Sequence, residues 1–375
     1  MDSNESLEVP RKASWWLPVG AVIVLFALIG GLAWWQGQGS PKVVTKVGAV
    51  IPLTGASSLW GGGVKDGMDL AQSEINTDNK ERFKVIYEDS QSKNDVAVTA
   101  GQKLINVDMI NALYTHYNGP SVALSPIAQA KGLPFFYDTY STAILEDNPL
   151  SFKGYLDYGD ACERYAKYAK ENGAKKIAIL NEFGDSYVYC KQGLAKYYSD
   201  REIEVTETLA NADFRTLLLK LKQGGVDAFV LNTNEPHAIN LFDQLKELNL
   251  KFDSIFCEES TCYTSAVQAK SGFVENLINY DPYFTDNFLK KLTDKFGTND
   301  IVRITPIAYG YYDTMRLYEA SKECKNLDKS CYITAISNVN NLGVFKDAPT
   351  KDRGYYPALK FKKVGADGAE SEIKL

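Results

Sequence analysis

Histidine is scarce in this chain: His116 and His237 are the only two in 375 residues. A serine nucleophile needs a base, and only these two side chains offer imidazole. His116 lies close to Ser121, so spacing alone leaves an amide hydrolase open. However, there is no G-x-S-x-G elbow, no phosphate-loop Gly-Lys-Ser and no G-x-G-x-x-G signature. Cys-x-x-Cys is also missing, and the two histidines are far apart, which argues against zinc. Nor is there a basic excess. Lys and Arg total 41 against 47 Asp and Glu, a formal charge of -6, so a general nucleic-acid role is disfavoured. No catalytic residue, cofactor or metal is assigned.

The composition is otherwise that of a globular protein, 45% hydrophobic and 23% charged, with length enough for two lobes. One long apolar run breaks the pattern. Residues 1–14 are polar and end near Arg11-Lys12, and Trp15 to Trp35 then carries no charge. About 20 apolar residues cross a hydrocarbon core as a helix. Trp15, Trp16, Trp34 and Trp35 sit at its ends like interfacial aromatics, and the preceding basic pair favours a cytoplasmic N-terminus. The expectation is a short cytoplasmic tail (1–14), an uncleaved transmembrane anchor (15–35) and a linker (36–46). The remainder would lie outside the cell membrane, in the periplasm or extracellular space. A cleaved signal peptide is the rival, disfavoured by the length of the run and by the poor site at Gly31 to Trp35.

Six cysteines fit an exported chain. Cys257 with Cys262 and Cys324 with Cys331 are close couples, leaving Cys162 for Cys190. Other connectivities stay open, as do buried thiols at Cys162 and Cys190.

From Val47 onward, strand and helix alternate. Val47 to Ile51 reads as a buried strand, Pro52 to Gly63 as a loop, and Val64, Met68, Ala71 and Ile75 as one helix face. Strands near Phe83–Tyr87, Ile110–Tyr114 and Leu133–Phe136 follow, with helices between them. The pattern restarts after Asp160, with strands at Lys176–Leu180, Ile203–Leu209, Asp227–Leu231 and Phe252–Phe256. Such alternation means parallel sheets covered by helices, with ligands beyond the strands' carboxyl ends. The segment from Tyr355 to Lys374 reads as a closing strand pair.

Three stretches together resemble the type I periplasmic binding proteins, the branched-chain amino-acid-binding (leucine/isoleucine/valine-binding) group above all. They are Val47 to Gly55, Asn118-Gly119-Pro120-Ser121, and Ile307 to Thr314. The resemblance implies an α/β fold of two doubly wound parallel-sheet lobes joined by three crossings. Those crossings fall near Gly154 to Asp160, Asn279 to Pro282 and Asn341 to Phe345. Lobe 1 then comprises 47–156 and 281–342, and lobe 2 comprises 157–280 and 343–375. The implied function is capture of a small polar ligand, a branched-chain or similar amino acid, for the permease of an ABC importer. A sensor that passes lobe closure to a partner receptor is the alternative.

A free amino acid presents a carboxylate, an ammonium and a side chain. The carboxylate suits a helix N-terminus and hydroxyls. The resemblance assigns it to Asn118, Gly119, Ser121 and Thr142, although Ser121 or Asn118 could equally be helix caps. Glu259, or Glu235, is the expected partner of the ammonium. Trp60 would pack on the apolar part from a mobile loop that Gly61-Gly62-Gly63 leaves uncovered. Phe183 and Tyr140 would close the pocket.

Overall fold

The computed structural model describes residues 44–375 except 56, 183–185, 208–212, 234, 258–275, 325–327, 340–341 and 366–368. The expected tail, anchor and most of the linker lie outside the described residues. Among the described residues no helix is long and apolar enough to cross a membrane.

In chain order the first elements are β1 (Thr45–Ile51), α1 (Ser58–Ile75), β2 (Phe83–Asp89), α2 (Asn94–Asn106), β3 (Ala112–His116), α3 (Asn118–Lys131), β4 (Phe135–Asp138), α4 (Ala143–Asp147) and β5 (Ser151–Lys153). A second series follows: α5 (Tyr158–Glu171), β6 (Ile177–Asn181), α6 (Tyr187–Leu194), β7 (Ile203–Glu207), α7 (Arg215–Gln223), β8 (Ala228–Asn232), α8 (Glu235–Glu247), β9 (Ser254–Cys257) and β10 (Leu277–Pro282). The chain then adds α9 (Asp286–Phe296), α10 (Ile301–Glu323), α11 (Lys329–Asn338), β11 (Thr350–Lys351), β12 (Gly354–Tyr355), β13 (Leu359–Val364) and β14 (Glu370–Ile373).

Two seven-stranded sheets result, ordered β11-β12-β5-β4-β3-β1-β2 and β14-β13-β10-β9-β8-β6-β7. Each is parallel through its centre, as the alternation implies. One edge of each is antiparallel, through β11 on β12 and through β13 and β14. β11–β12 and β13–β14 are hairpins, which must pair antiparallel, and β13 itself returns antiparallel onto β10. The sequence boundaries assign everything past 343 to the second lobe. In the structure β12 pairs with β5 in the first sheet, and only β13 and β14 join the second. Arg353 explains that detour. Its guanidinium donates to the carbonyls of Asn148 at 2.7 Å and Ser151 at 3.2 Å, which anchors the β11–β12 turn beside β5.

The chain therefore passes from the first sheet to the second at Gly154–Asp157, back at Tyr283–Thr285, and forward again at Tyr356–Ala358. Main-chain bonds tie the second passage to the third and to the segment at Val344. Thr285 N donates to Val344 O at 2.9 Å, and Tyr283 N to Ala358 O at 2.8 Å. Lys153, almost fully buried, donates its ammonium to the carbonyls of Tyr155 at 2.6 Å and Leu156 at 3.1 Å, within the first passage.

The glycine run differs from expectation. Ser58 to Ile75 is one helix, so Gly61, Gly62 and Gly63 are helical and Trp60 stands in its first turn. The glycines allow backbone contact. A Cβ at Gly63 would meet Pro306 at 2.6 Å, and one at Gly67 would meet Ile307 O at 2.0 Å. From the opposite helix, a Cβ at Gly310 would meet Val64 O at 2.2 Å. α1 and α10 thus touch main chain to main chain, while Val64, Met68, Ala71 and Ile75 bury the face read from sequence.

Cys162–Cys190 and Cys324–Cys331 are disulfides, as paired from the sequence. Cys257 is also disulfide-bonded, and its expected partner Cys262 lies outside the described residues.

Opposite outcomes are predicted for two alanine substitutions. Gly67→Ala should lower unfolding free energy by about 3 kcal/mol, because a backbone carbonyl has to move. Gly62→Ala, whose Cβ would meet nothing within 4 Å, should raise it by about 0.5–1 kcal/mol through helix propensity. Denaturant titration of both variants checks the pair.

Candidate ligand cleft

In each sheet one strand lies between neighbours whose connections leave on opposite sides. β1 stands between β3 and β2, and β6 between β8 and β7. Such switch points open a crevice at the strands' carboxyl ends. The exits of β1, β3 and β4 furnish the first wall, and those of β6 and β8 furnish the second.

The first exit is held by Asp89, whose Oδ1 accepts from the amides of Leu53 at 2.9 Å and Gln91 at 2.9 Å. Partial burial works against its charge. Bonds from Thr54, Gln91 and Leu53 outweigh that and keep its carboxyl below the usual range. Trp60 is half-buried. Its ring stacks on His116 with centroids 5.4 Å apart and meets the edge of Tyr155 at 6.4 Å. Tyr140, also half-buried, packs on Tyr155 at 5.1 Å and on Tyr158 at 4.8 Å. Both expected aromatics therefore join one cluster, which includes Tyr155 of the first crossing and Tyr158 at the start of α5.

The four residues assigned to a carboxylate separate. Asn118 and Thr142 are exposed, and Asn118 Oδ1 accepts from Thr139 at 3.4 Å. Gly119 rests on Asn94, whose Oδ1 would lie 2.3 Å from an added Cβ. Ser121 is fully buried and donates its hydroxyl to Tyr117 O at 2.6 Å, so that hydroxyl serves the start of α3. Tyr117, at φ 74, adopts a left-handed backbone just before the helix. Phe183 and Glu259 lie outside the described residues, and of Glu235 only its place as the first residue of α8 is described.

The second wall has polar groups not singled out from sequence. Asn232 Nδ2 donates to Asn181 Oδ1 at 2.8 Å and to Ser186 Oγ at 2.6 Å. Glu182 Oε2 accepts from the Thr233 hydroxyl and lies 3.0 Å from His237 Nδ1. An acid directly after a strand was the signal that pointed to Glu259, and Glu182 carries the same signal after β6.

A cavity of about 410 Å³, within the range of small-molecule sites, opens between the exit of β4, the first crossing and helices α5 and α6; Trp60, Asn118 and Glu182 do not line it. Tyr140, Thr142 and, at the end of β5, Lys153 line it from the first lobe, Asp157 and Tyr356 from the crossings, and Tyr189 from α6. Asp157 also caps α5, accepting from Asp160 N at 3.0 Å. Burial brings the Lys153 ammonium down to about 8. Walls of phenol, hydroxyl, carboxylate and ammonium suit a small ligand bearing both charges. Among the described residues no cluster of His, Cys, Asp and Glu could hold a metal ion.

Comparison with known proteins agrees with this architecture. The family model for periplasmic binding proteins matches residues 44–354. Leu/Ile/Val-binding protein homolog 2 of Brucella abortus (strain 2308) is 27% identical over 232 residues, covering 55% of this chain and 58% of that protein. Homolog 6 of Brucella suis biovar 1 is 23% identical over 222 residues, covering 56% and 57%. The matches therefore span less than three-fifths of the length of these curated relatives. Among solved structures, the leucine binding protein LivK of Thermotoga maritima superposes with a TM-score of 0.74 at 17% identity, covering 88% of this chain and 98% of that one. The branched-chain amino acid substrate binding protein LivJ of Streptococcus pneumoniae, in complex with isoleucine, gives 0.73 at 16% identity, covering 89% and 100%. A solute binding protein of R. palustris in complex with 4-hydroxybenzoate gives 0.73 at 18%, covering 88% and 96%. These structural likenesses show the type I periplasmic binding fold.

Burial brings the His116 imidazole down to about 3. An unfolded histidine titrates near about 6.5, so His116 costs no stability above that value and an increasing amount below it. Its ring nitrogens should keep neutral-imidazole NMR shifts from about pH 8 to about pH 5. A protonation step near about 6.5 would contradict its burial.

Proposed function

We propose that this chain, which belongs to the periplasmic binding protein family, captures a branched-chain or similar amino acid between its lobes and delivers it to an ABC importer. The cavity whose walls come from both halves and from the crossings carries this reading. The names of the curated relatives and of the LivK and LivJ neighbours support the ligand class.

In the bound state the start of α3, at Asn118 and Gly119, and the Thr142 hydroxyl face the carboxylate. A helix N-terminus offers unpaired N–H groups and positive dipole there. Asp157 and Glu182 offer negative charge to the ammonium, while Tyr140 and Trp60 cover the apolar side chain. Each lobe supplies part of the contacts, so a ligand favours the conformation that makes both sets. The protein acts by binding without turnover. Residues 15–35 would hold it at the outer face of the cell membrane, within reach of the permease.

Residues 42–375 should be stabilised by about 2.7 kcal/mol by a cognate amino acid at about 100 times its dissociation constant. Thr142→Val and Glu182→Gln should unfold at the unliganded temperature of the parent yet lose most of that shift. A thermal-shift screen of amino acids and amides in which none moves the parent chain would overturn the assignment. Stabilisation that both variants retain would instead overturn the residue roles.

A further inference from the structure

Two aspartates lie buried beneath the first crossing, and neither lines the cavity. Asp138 ends β4 and is 0% exposed, and Asp313, in the middle of α10, is 2% exposed. Gly154 rests on both. A Cβ at that position would stand 2.3 Å from Asp138 Oδ1 and 2.4 Å from Asp313 Oδ2. The two oxygens therefore converge on one point, and neither has a hydrogen-bond donor within reach.

The surrounding groups do not separate the pair. Asp138 Oδ2 takes the Tyr114 hydroxyl and lies 3.8 Å from His116 Nδ1. Arg316 Nη1 stands 3.5 Å from Asp313 Oδ1, and its guanidinium lies over the Tyr355 ring at 4.8 Å. The Lys153 ammonium is turned to the carbonyls of Tyr155 and Leu156. Tyr355 faces both carboxyls and Tyr312 faces Asp313, while Tyr309 lies beside Tyr114 and Tyr355. Two facing carboxylates in so dry a site repel, whereas one proton between them makes a short charge-assisted O–H···O⁻ bond.

We propose that Asp138 and Asp313 share a single proton and act as positioning residues. Their bond clamps the end of β4, from which Tyr140 and Thr142 follow into the cleft, and the Gly154 crossing onto α10. Loss of the proton in mildly alkaline solution releases the clamp and frees the crossing. This holds whatever the cleft binds, so its failure leaves the ligand assignment standing.

Burial raises both carboxyls, Asp138 to about 7 and Asp313 well above the ordinary carboxylate value. The two carboxyls titrate as a pair, and the raised value belongs to the step that removes their shared proton. That step lies above the roughly 3.9 of an unfolded aspartate, so the clamp's stabilisation is in place below neutrality and is lost as pH rises through it.

Infrared spectroscopy and hydrogen exchange on the full-length protein test the proposal. The carbonyl band of a protonated carboxylic acid should be present at about pH 6, fade by about pH 8.5, and be missing from Asp138→Asn and Asp313→Asn. Gly154 N donates to Tyr137 O at 2.9 Å, so amide exchange across the crossing reports the clamp. Corrected for intrinsic rate, it should rise about tenfold over that range, the equivalent of one pKa unit. In Asp313→Asn, whose amide donates at every pH, the rise should stay under about twofold. An acid band missing from the parent at the lower pH, a flat exchange profile in the parent, or an undiminished rise in Asp313→Asn would each overturn the proposal. If a variant does not fold, the band and the exchange profile of the parent decide alone.

Discussion

Main-chain hydrogen bonding among the crossing segments is the constraint from which the rest of the structure follows. Gly154 to Asp157, Tyr283 to Thr285 and Tyr356 to Ala358 join two sheets that share no strand. The bond from Tyr283 N to Ala358 O holds the later two passages in register, and that from Thr285 N to Val344 O ties the second to the segment at Val344. Backbone groups satisfied this way do not need water, so the junction tolerates burial. Bending there changes few dihedrals yet swings whole sheets, as hinge motion requires.

Around that junction the protein places polar groups that a core usually excludes. Lys153, Asp138, Asp313 and Arg316 are all nearly inaccessible to solvent. Isolated charges there would cost several kcal/mol each, so their positions depend on one another. Aromatic rings fill the space between them. Tyr155 meets Trp60, Tyr140 and Tyr309, and Tyr312 meets Phe345 and Tyr355. The chain holds 23 tyrosines, and several of their rings lie at this seam between the lobes. The same seam borders the cavity, so ligand contact and hinge packing draw on neighbouring residues.

Much of this was legible in the sequence because period and punctuation are local. The strand-to-helix alternation and the apolar faces at Val64, Met68, Ala71 and Ile75 needed no tertiary knowledge. The glycine run was misread because helix interiors rarely hold three glycines. Only the approach of α10, with Pro306, Ile307 and Gly310, makes a helix there favourable. The β11–β12 excursion was missed because two-residue strands leave no period, and the Arg353 bonds that secure it reach back about two hundred residues. Ser121 looked like a ligand group from its motif, but a hydroxyl directly after a proline in the first turn of a helix can also turn inward, and it does. Asp157, Glu182 and Lys153 were hidden because isolated charged residues on loops or short strands are ordinarily solvated.

The central claim is that two halves close on a small guest at their strand tips. Small-angle scattering of residues 42–375, with and without a saturating amino acid that raises thermal stability, tests it most directly. Closure predicts a smaller radius of gyration in the bound protein and a scattering curve that returns to its starting form after dialysis. Saturated binding with an unchanged radius would contradict it.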